Sequence, residues 1–395
     1  MPDWGDRKLG DLITVKHGYA FKGEYFGEDP AHPTLVTPGN FAVGGGFKES
    51  KLRTYFGPEV EGFTLSAGDL IVTMTDLSKT GDTLGYPALV PGGKTYLHNQ
   101  RIGLVEFLSR DALPRFLYYV LMTKEYRQHI LATATGSTVR HTSPGRIGDY
   151  AFRLPPLREQ QAIASTLGAL DDKIAVNDRI AITAERLLRA RYEALADGQE
   201  QIAIGDIGSL VRSSSQPSDL IDDEPYIGLE HMPRKSIWLH QWDSSNRVVS
   251  QKTRFAVGDV LFGKLRPYFH KVGIAQVSGV CSTDILVIRP SIPNYLPWLL
   301  MALSSDEVVA HATARSDGTR MPRTRWSDLA DLRVPWAKPP VVQRYTSLAQ
   351  PLIRRVQCSL AESHRLSQLR NTLLPELMSG RLRVKDAEKV VEEAV

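Results

Sequence analysis

Two long amphipathic stretches constrain this chain more than any other feature. The first opens with "LPPLREQQAIASTLGALDDKI" at residues 154–174. Pro155 and Pro156 favour an extended entry and suit a helix start. Beyond them Ile163, Leu167, Leu170, Ile174, Asn177, Ala181, Ala184, Leu188 and Leu195 recur in alternating steps of three and four, with Arg191 in the one remaining place. That spacing predicts a coiled-coil seam over residues 157–196. Gly168 is the single glycine inside it, and Asp197-Gly198 supplies the stop. Forty helical residues extend roughly 60 Å, too long for a helix to cover its own apolar stripe. Asn177 either fixes the register or marks a solvated gap in the seam.

The partner is in the same chain. Pro339-Pro340 lead into a second stretch, 339–382, in which Leu348, Leu352, Val356, Leu360, Leu366, Leu369, Leu373 and Leu377 share one face. Pro351 is expected to kink it and Pro375 to loosen its last turn before Gly380. The two stretches are expected to cover each other's apolar face.

The symmetry spreads outward. "SAGDLIV" (66–72) matches "AVGDVLF" (256–262), which places Gly68 and Gly258 190 residues apart. "LGDLI" (9–13) resembles "IGDIG" (204–208), and "LPRFLYYVL" (113–121) resembles "LPWLLMALS" (296–304). Gly136-Ser137-Thr138 answers Asp317-Gly318-Thr319, "YAFRLPP" (150–156) answers "LADLRVPW" (329–336), and Gly198 answers Gly380. A shared order of short matches is the signature of a duplicated unit. The predicted organisation is a globule at 1–155, a helix at 156–198, a globule at 199–338, a helix at 339–382 and a tail at 383–395. Short strands such as 69–73, 102–106 and 285–289, with one internal helix per globule (114–132 and 296–312), give a mixed α/β class.

With 395 residues, the chain exceeds what one core usually supports. Two cysteines, Cys281 and Cys358, exclude a disulfide scaffold or a multi-cysteine zinc site. Residues 295–303 are too short an apolar run to span a bilayer, and the N-terminus has no apolar signal region, so a cytoplasmic protein is expected. The net charge of +4, from 48 basic and 44 acidic residues, does not by itself identify a polyanionic partner. The distribution of the charge has to decide.

Residues 310–325, "AHATARSDGTRMPRTR", hold Arg315, Arg320, Arg323 and Arg325 against a single Asp317. The matching place in the first globule, 126–148, holds Arg127, Arg140 and Arg146 and no acid. Residues 260–283, also free of acid, hold Lys264, Arg266 and Lys271. Ser137, Thr138, Thr142 and Thr319 accompany these bases. Cations and hydroxyls in glycine-bearing loops are what phosphate and base-edge contact requires. A lone arginine is usually a solvated surface residue, but three such windows at matching places in a duplicated chain favour nucleic acid. Thr75, Asp76 and Lys79, in "TMTDLSKTGD", are further candidates. Asp76 and Asp284 could each accept from a cytosine amino group or simply close a turn. Asn99 and Arg101, within His98–Arg101, could read bases or cap the following strand.

Catalytic signatures fail one at a time. "ALVPGGKT" (88–95) has Ala88 where a phosphate loop needs its first glycine, and "VGGGF" (43–47) lacks dinucleotide-loop spacing. "DDK" (171–173) lies on the seam helix, and neither it nor "ESK" (49–51) has an acidic partner upstream of the kind a nuclease needs. An amino-methyltransferase Pro-Pro-aromatic motif is missing, as is any nucleophile-elbow context.

"LPPLREQQAIASTLGALDDKIAVNDRI" resembles the central region of the specificity subunit of type I restriction-modification systems. "VGDVLFGKLRPYFHK" (257–271) and "LRNTLLPELMSGRLRV" (369–384) resemble that family's second half and C-terminal helix. The resemblance covers essentially the whole chain. It implies two target recognition domains that each read half of a bipartite double-stranded DNA sequence, and two long helices that pair as an antiparallel coiled coil, acting as spacer and docking surface. It also implies two modification subunits that methylate adenine with S-adenosylmethionine, and restriction subunits that use ATP and magnesium. This chain would hold no cofactor and no metal. A self-contained nuclease or methyltransferase would instead bind metal or S-adenosylmethionine in isolation, and a coiled-coil scaffold would show no salt-steep DNA retention.

Overall fold

The computed structural model describes residues 4–49, 52–196, 200–318 and 320–394. It divides into two compact units, Met1–Asp172 with Ser367–Val395, and Lys173–Leu366. Among the described residues no helix is long and apolar enough to cross a membrane.

In the first unit the strands Gly5–Lys8 and Ala151–Leu154 pair antiparallel, Gly5 opposite Leu154, and bring the ends of the globule together. An antiparallel sheet runs in the order Ile13–His17, Ile102–Phe107, Leu70–Thr73, Pro87–Leu89. A mixed sheet has Thr34–Val36 parallel to Tyr96–His98 at its centre. Leu70–Thr73 is buried on both faces, and so reads as a continuous apolar run rather than an alternating one. Ile71, Ala88, Ile102, Val36 and Tyr96 form a core from strands of both sheets.

The second unit repeats this plan. Glu200–Ala203 pairs with Arg333–Trp336. Gly208–Leu210, Ile285–Pro290, Val260–Gly263 and Val272–Ala275 then follow the first unit's strand order, with Trp238–Leu239 added at the edge. Pro225–Ile227 runs parallel to Gly279–Cys281. The repeat extends to local detail. Gly68 and Gly258 both have φ +88°. The carboxylates beside them cap the same turn, Asp69 accepting from the Ser66 N–H and Asp259 from the Ala256 N–H, both at 2.8 Å.

The internal helix expected in each globule is two helices. Pro114–Val120 is followed by Lys124–Thr133, and Leu296–Leu303 by Asp306–Ala314. Thr123 and Ser305 are the cause. Each hydroxyl accepts the backbone N–H three residues on, from Tyr126 and Val308, and starts a new helix in a new direction.

The central helix spans Leu157–Ala196, as the periodicity predicts. The second long helix spans Pro339–Met378, with Pro351 and Pro375 both inside it. A further helix, Val384–Ala394, occupies the expected tail and buries Ala387 and Val391. The helices are antiparallel within each unit. Arg370 meets Asp171 at 2.6 Å in the first, and in the second Asn177 donates to Glu362 at 2.8 Å and Tyr345 to the Leu188 carbonyl at 3.0 Å. Asn177 is therefore a buried polar pairing partner and not a solvated gap.

Most seam residues are buried as expected: Ile163, Leu167, Leu170, Ala181, Ala184, Leu188, Val356, Leu366 and Leu373. Ile174 and Leu352 are only half-buried. Leu348, expected on the seam, is 39% exposed, and Ala349 beside it is buried instead. The place assigned to Arg191 belongs to Tyr192, whose ring packs edge-on to Trp298 at 5.0 Å. These shifts share a cause. In the second unit the helices pack on the globule as well as on each other, so Ala181, Leu188, Trp298, Tyr345 and Ile353 share one core. Gly168 has its own reason in the first unit. The Arg115 guanidinium crosses there to reach Asp172 at 2.6 Å, and a Cβ on residue 168 would lie 2.7 Å from it.

Candidate nucleic-acid interface

The basic windows of the first unit gather around one small hairpin. Arg140–His141 pairs antiparallel with Thr75–Asp76. The Thr142 N–H bonds the Met74 carbonyl at 3.0 Å, and the Met74 N–H bonds that of Arg101 at 3.0 Å. Thr135 and His141 exchange both backbone bonds, closing a loop that turns at Gly136. Gly136 sits at φ +90°, where an added Cβ would lie 1.9 Å from the Val139 oxygen, so no other residue fits.

Several candidate contacts turn out to support this hairpin instead. Thr75 and Asp76 are buried. The Asp76 carboxylate accepts from the Ser78 N–H, the Thr83 N–H and the Thr83 hydroxyl. Burial alone would raise its pKa, but the donors from Thr83 and Ser78 outweigh it and hold the carboxyl below the ordinary range. Asp76 therefore closes a turn, with both of its oxygens engaged there. Arg127 donates to the Gly81 and Leu84 carbonyls and lies 4.6 Å over the Tyr86 ring, pinning the same loop. Asn99 is buried, and its side-chain oxygen accepts the Arg101 N–H at 3.1 Å, while the His98 ring donates to the Ile102 carbonyl at 2.9 Å. This run caps the strand Ile102–Phe107. Burial pushes the His98 pKa down and keeps the ring neutral. Lys79, Arg101, Ser137 and Thr138 remain exposed. Half-buried Arg140 bonds the Lys79 carbonyl at 3.2 Å through its Nε.

The second unit rebuilds the frame with other side chains. The Thr324 N–H bonds the Lys264 carbonyl, the Lys264 N–H bonds that of Asp284, and Asp317 exchanges both backbone bonds with Arg323. Gly318 turns the loop at φ +101°. Met74, Arg101, Thr135 and His141 thus correspond to Lys264, Asp284, Asp317 and Arg323. The supports correspond too: His129 bonds the Arg146 carbonyl, and His311 that of Asp328.

Arg315 and Arg320 are exposed and Lys264 half-buried, whereas Thr319 lies outside the described residues. Arg266, at φ 52°, opens a short turn and approaches the Phe269 ring at 6.0 Å. Its Nη2 bonds the Arg320 carbonyl at 3.4 Å. Lys271 donates to the Leu229 carbonyl and belongs to the supports. Asp284 grips Arg323, Nε to Oδ1 at 2.8 Å and Nη2 to Oδ2 at 3.4 Å, so both of its oxygens face the guanidinium. Sequence reading singled out both residues without pairing them. The 190-residue offset carried through Met74 and Lys264 was the signal that could have joined them. Among the described residues no cluster of side chains is arranged to hold a metal ion.

A duplicated mixed α/β chain, with one cationic hairpin per globule and two antiparallel helices, is a tandem recognition-domain protein. The family model for the type I restriction modification DNA specificity domain matches residues 1–186. The specificity subunit of the type I restriction enzyme MjaIX of Methanocaldococcus jannaschii is 23% identical over 338 residues, covering 77% of this chain and 76% of that one. The EcoDI specificity subunit of Escherichia coli is 29% identical over 144 residues, 34% of this chain and 31% of that one. The crystal structure of the type I restriction-modification S subunit from M. genitalium shares the fold, with a TM-score of 0.58, 18% identity and coverage of 95% of this chain and 96% of that one. Residues 1–186 thus carry the type I restriction modification DNA specificity domain, and the chain as a whole is similar to specificity subunits of that kind.

Proposed function

We propose that each globule reads one half of a bipartite double-stranded DNA target through its hairpin. The two long helices act as spacer and as docking surface for two adenine-methylating modification subunits. Restriction subunits join the same assembly. This chain supplies the address, while S-adenosylmethionine, ATP and magnesium stay with the partner subunits.

The observation that carries the reading is the repeated frame itself. Backbone bonds at matching positions hold the two loops, and the exposed side chains differ: Lys79, Ser137 and Thr138 in the first unit, Arg315 and Arg320 in the second. A conserved support with variable tips suits two readers of two different short sequences.

The test is a domain exchange. Residues 1–155 are replaced by the matching domain of a relative, and methylated DNA is sequenced from a host that also makes the modification subunit. One half of the methylated motif is expected to change while the other is kept. A hybrid that alters both halves, or neither, rules out independent reading.

A further inference from the structure

We infer that Arg323, clamped by Asp284, reads a guanine in the half-site of the second globule. The inference rests on the reading of this chain as a DNA-recognition subunit.

Geometry is the first ground. Asp284 takes one edge of the guanidinium, through Nε at 2.8 Å and Nη2 at 3.4 Å. The end of the group, Nη1 with the second hydrogen of Nη2, is left with a single long contact to the Met321 carbonyl at 3.4 Å. Two parallel N–H donors on that end match O6 and N7 of guanine, the acceptor pair on its major-groove edge. The side chain is 43% exposed, so this end is open to a ligand.

Rigidity is the second. A free arginine loses rotamer entropy when it binds, and one already held does not. Arg323 is held at both ends. Its backbone exchanges two hydrogen bonds with Asp317 and forms a bridge with Leu265, and its head is gripped by Asp284. Both partners hang from one residue, since Lys264 donates to the Asp284 carbonyl and accepts from Thr324.

Charge is the third. A carboxylate beside the guanidinium repels a phosphate and tolerates a neutral base edge. Arg315 and Arg320, both exposed, are better placed for the backbone. In the first unit the corresponding residues are Arg101 and His141, which cannot form such a clamp. The device belongs to the second globule alone. Asp284 is a positioning residue here.

The experiment uses the full chain assembled with its modification subunits and the motif read from methylated host DNA. Each guanine of the second half-site is replaced in turn by 7-deazaguanine, which lacks the N7 acceptor. One guanine is expected to be sensitive, and Arg323→Ala should bind with no further loss there. The same variant should relax the preference for that base pair by on the order of tenfold or more. Arg323→Lys keeps a cation beside Asp284 but lacks the rigid planar pair of parallel donors, and should relax the same pair. Asp284→Asn should weaken that preference and leave the salt dependence unchanged.

If Arg323→Ala and Arg323→Lys keep wild-type preference at every position, the inference is overturned. It is equally overturned if no 7-deazaguanine matters, or if the second half-site contains no G·C pair. A wild-type complex that does not prefer its methylated motif over a scrambled duplex would instead sink the DNA-recognition reading beneath it.

Discussion

The two hairpins share a backbone and differ in chemistry. In the first unit Met74, between the strands Leu70–Thr73 and Thr75–Asp76, joins Arg101 and Thr142, and in the second Lys264 joins Asp284 and Thr324, through the same two backbone bonds. Charge is rearranged on this common frame. Arg101 opposite His141 becomes Asp284 opposite Arg323, and the buried carboxylate of Asp76 gives way to the cationic Arg266. Backbone hydrogen bonds are indifferent to side-chain identity, so the frame tolerates such changes. That is what a recognition module requires: support and reading are carried by different atoms.

The sharpest way to break the comparison is through the turn glycines. An added Cβ at Gly136 lies 1.9 Å from the Val139 oxygen, and at Gly318 3.4 Å from the Met321 oxygen. Gly318→Ala therefore meets backbone strain alone, on the order of 1–3 kcal/mol. Gly136→Ala adds a steric clash and should cost more. Thermal unfolding should rank them in that order, and Gly136→Ala should abolish discrimination in the first half-site only.

Arg127→Ala comes next. It strips the donors from the Gly81 and Leu84 carbonyls, with an expected loss of about 1–3 kcal/mol. Base preference in the first half-site should relax, because the loop that Arg127 pins through those carbonyls loosens. Unchanged stability and unchanged preference would remove it from the support.

Asp76 separates the units by pH. Its carboxyl pKa is lowered in the folded state, so the stability it contributes is present above the ordinary carboxylate value. That contribution is lost as the pH falls from about 4 through the folded value. The matching place in the second unit holds Arg266 and no carboxyl. The first unit should loosen in acid before the second, and Asp76→Asn should flatten its acid limb. Amide hydrogen exchange resolved by unit would settle the order.

The smallest effect is expected from exposed Arg320. As a phosphate contact, its replacement by alanine should lower the salt slope of DNA binding by about one, without changing the preferred bases. A change of base preference in this variant would move Arg320 from the backbone to the base edge.

Much of the architecture is legible in the sequence because it is periodic or repeated. A seam over many heptads fixes helix bounds well, and the central helix runs from Leu157 to Ala196 as its spacing requires. The short matches between halves fix the duplication. Thr123 and Ser305 were harder to read, because a capping hydroxyl inside an apolar run looks like one polar residue in a longer helix. The seam errors have another origin. Periodicity locates an apolar stripe but not what covers it, so Leu348 lost its place to Ala349, and Arg191 to Tyr192, once a globule packed against the same helices.

The cationic windows were visible as composition, and the chain alone determined that both globules carry one. Which of those side chains face solvent was decided only by tertiary structure. Arg127 and Lys271 look like free cations in the sequence and are spent on carbonyls far along the chain. Asp284 and Arg323 lie 39 residues apart and meet only because the backbone of Lys264 bonds to both loops. Local pattern determines which segments form helices and strands, since that depends on neighbours in the chain. The pairing of charges depends on which loops the strands bring side by side, a relation between distant segments that no local spacing records.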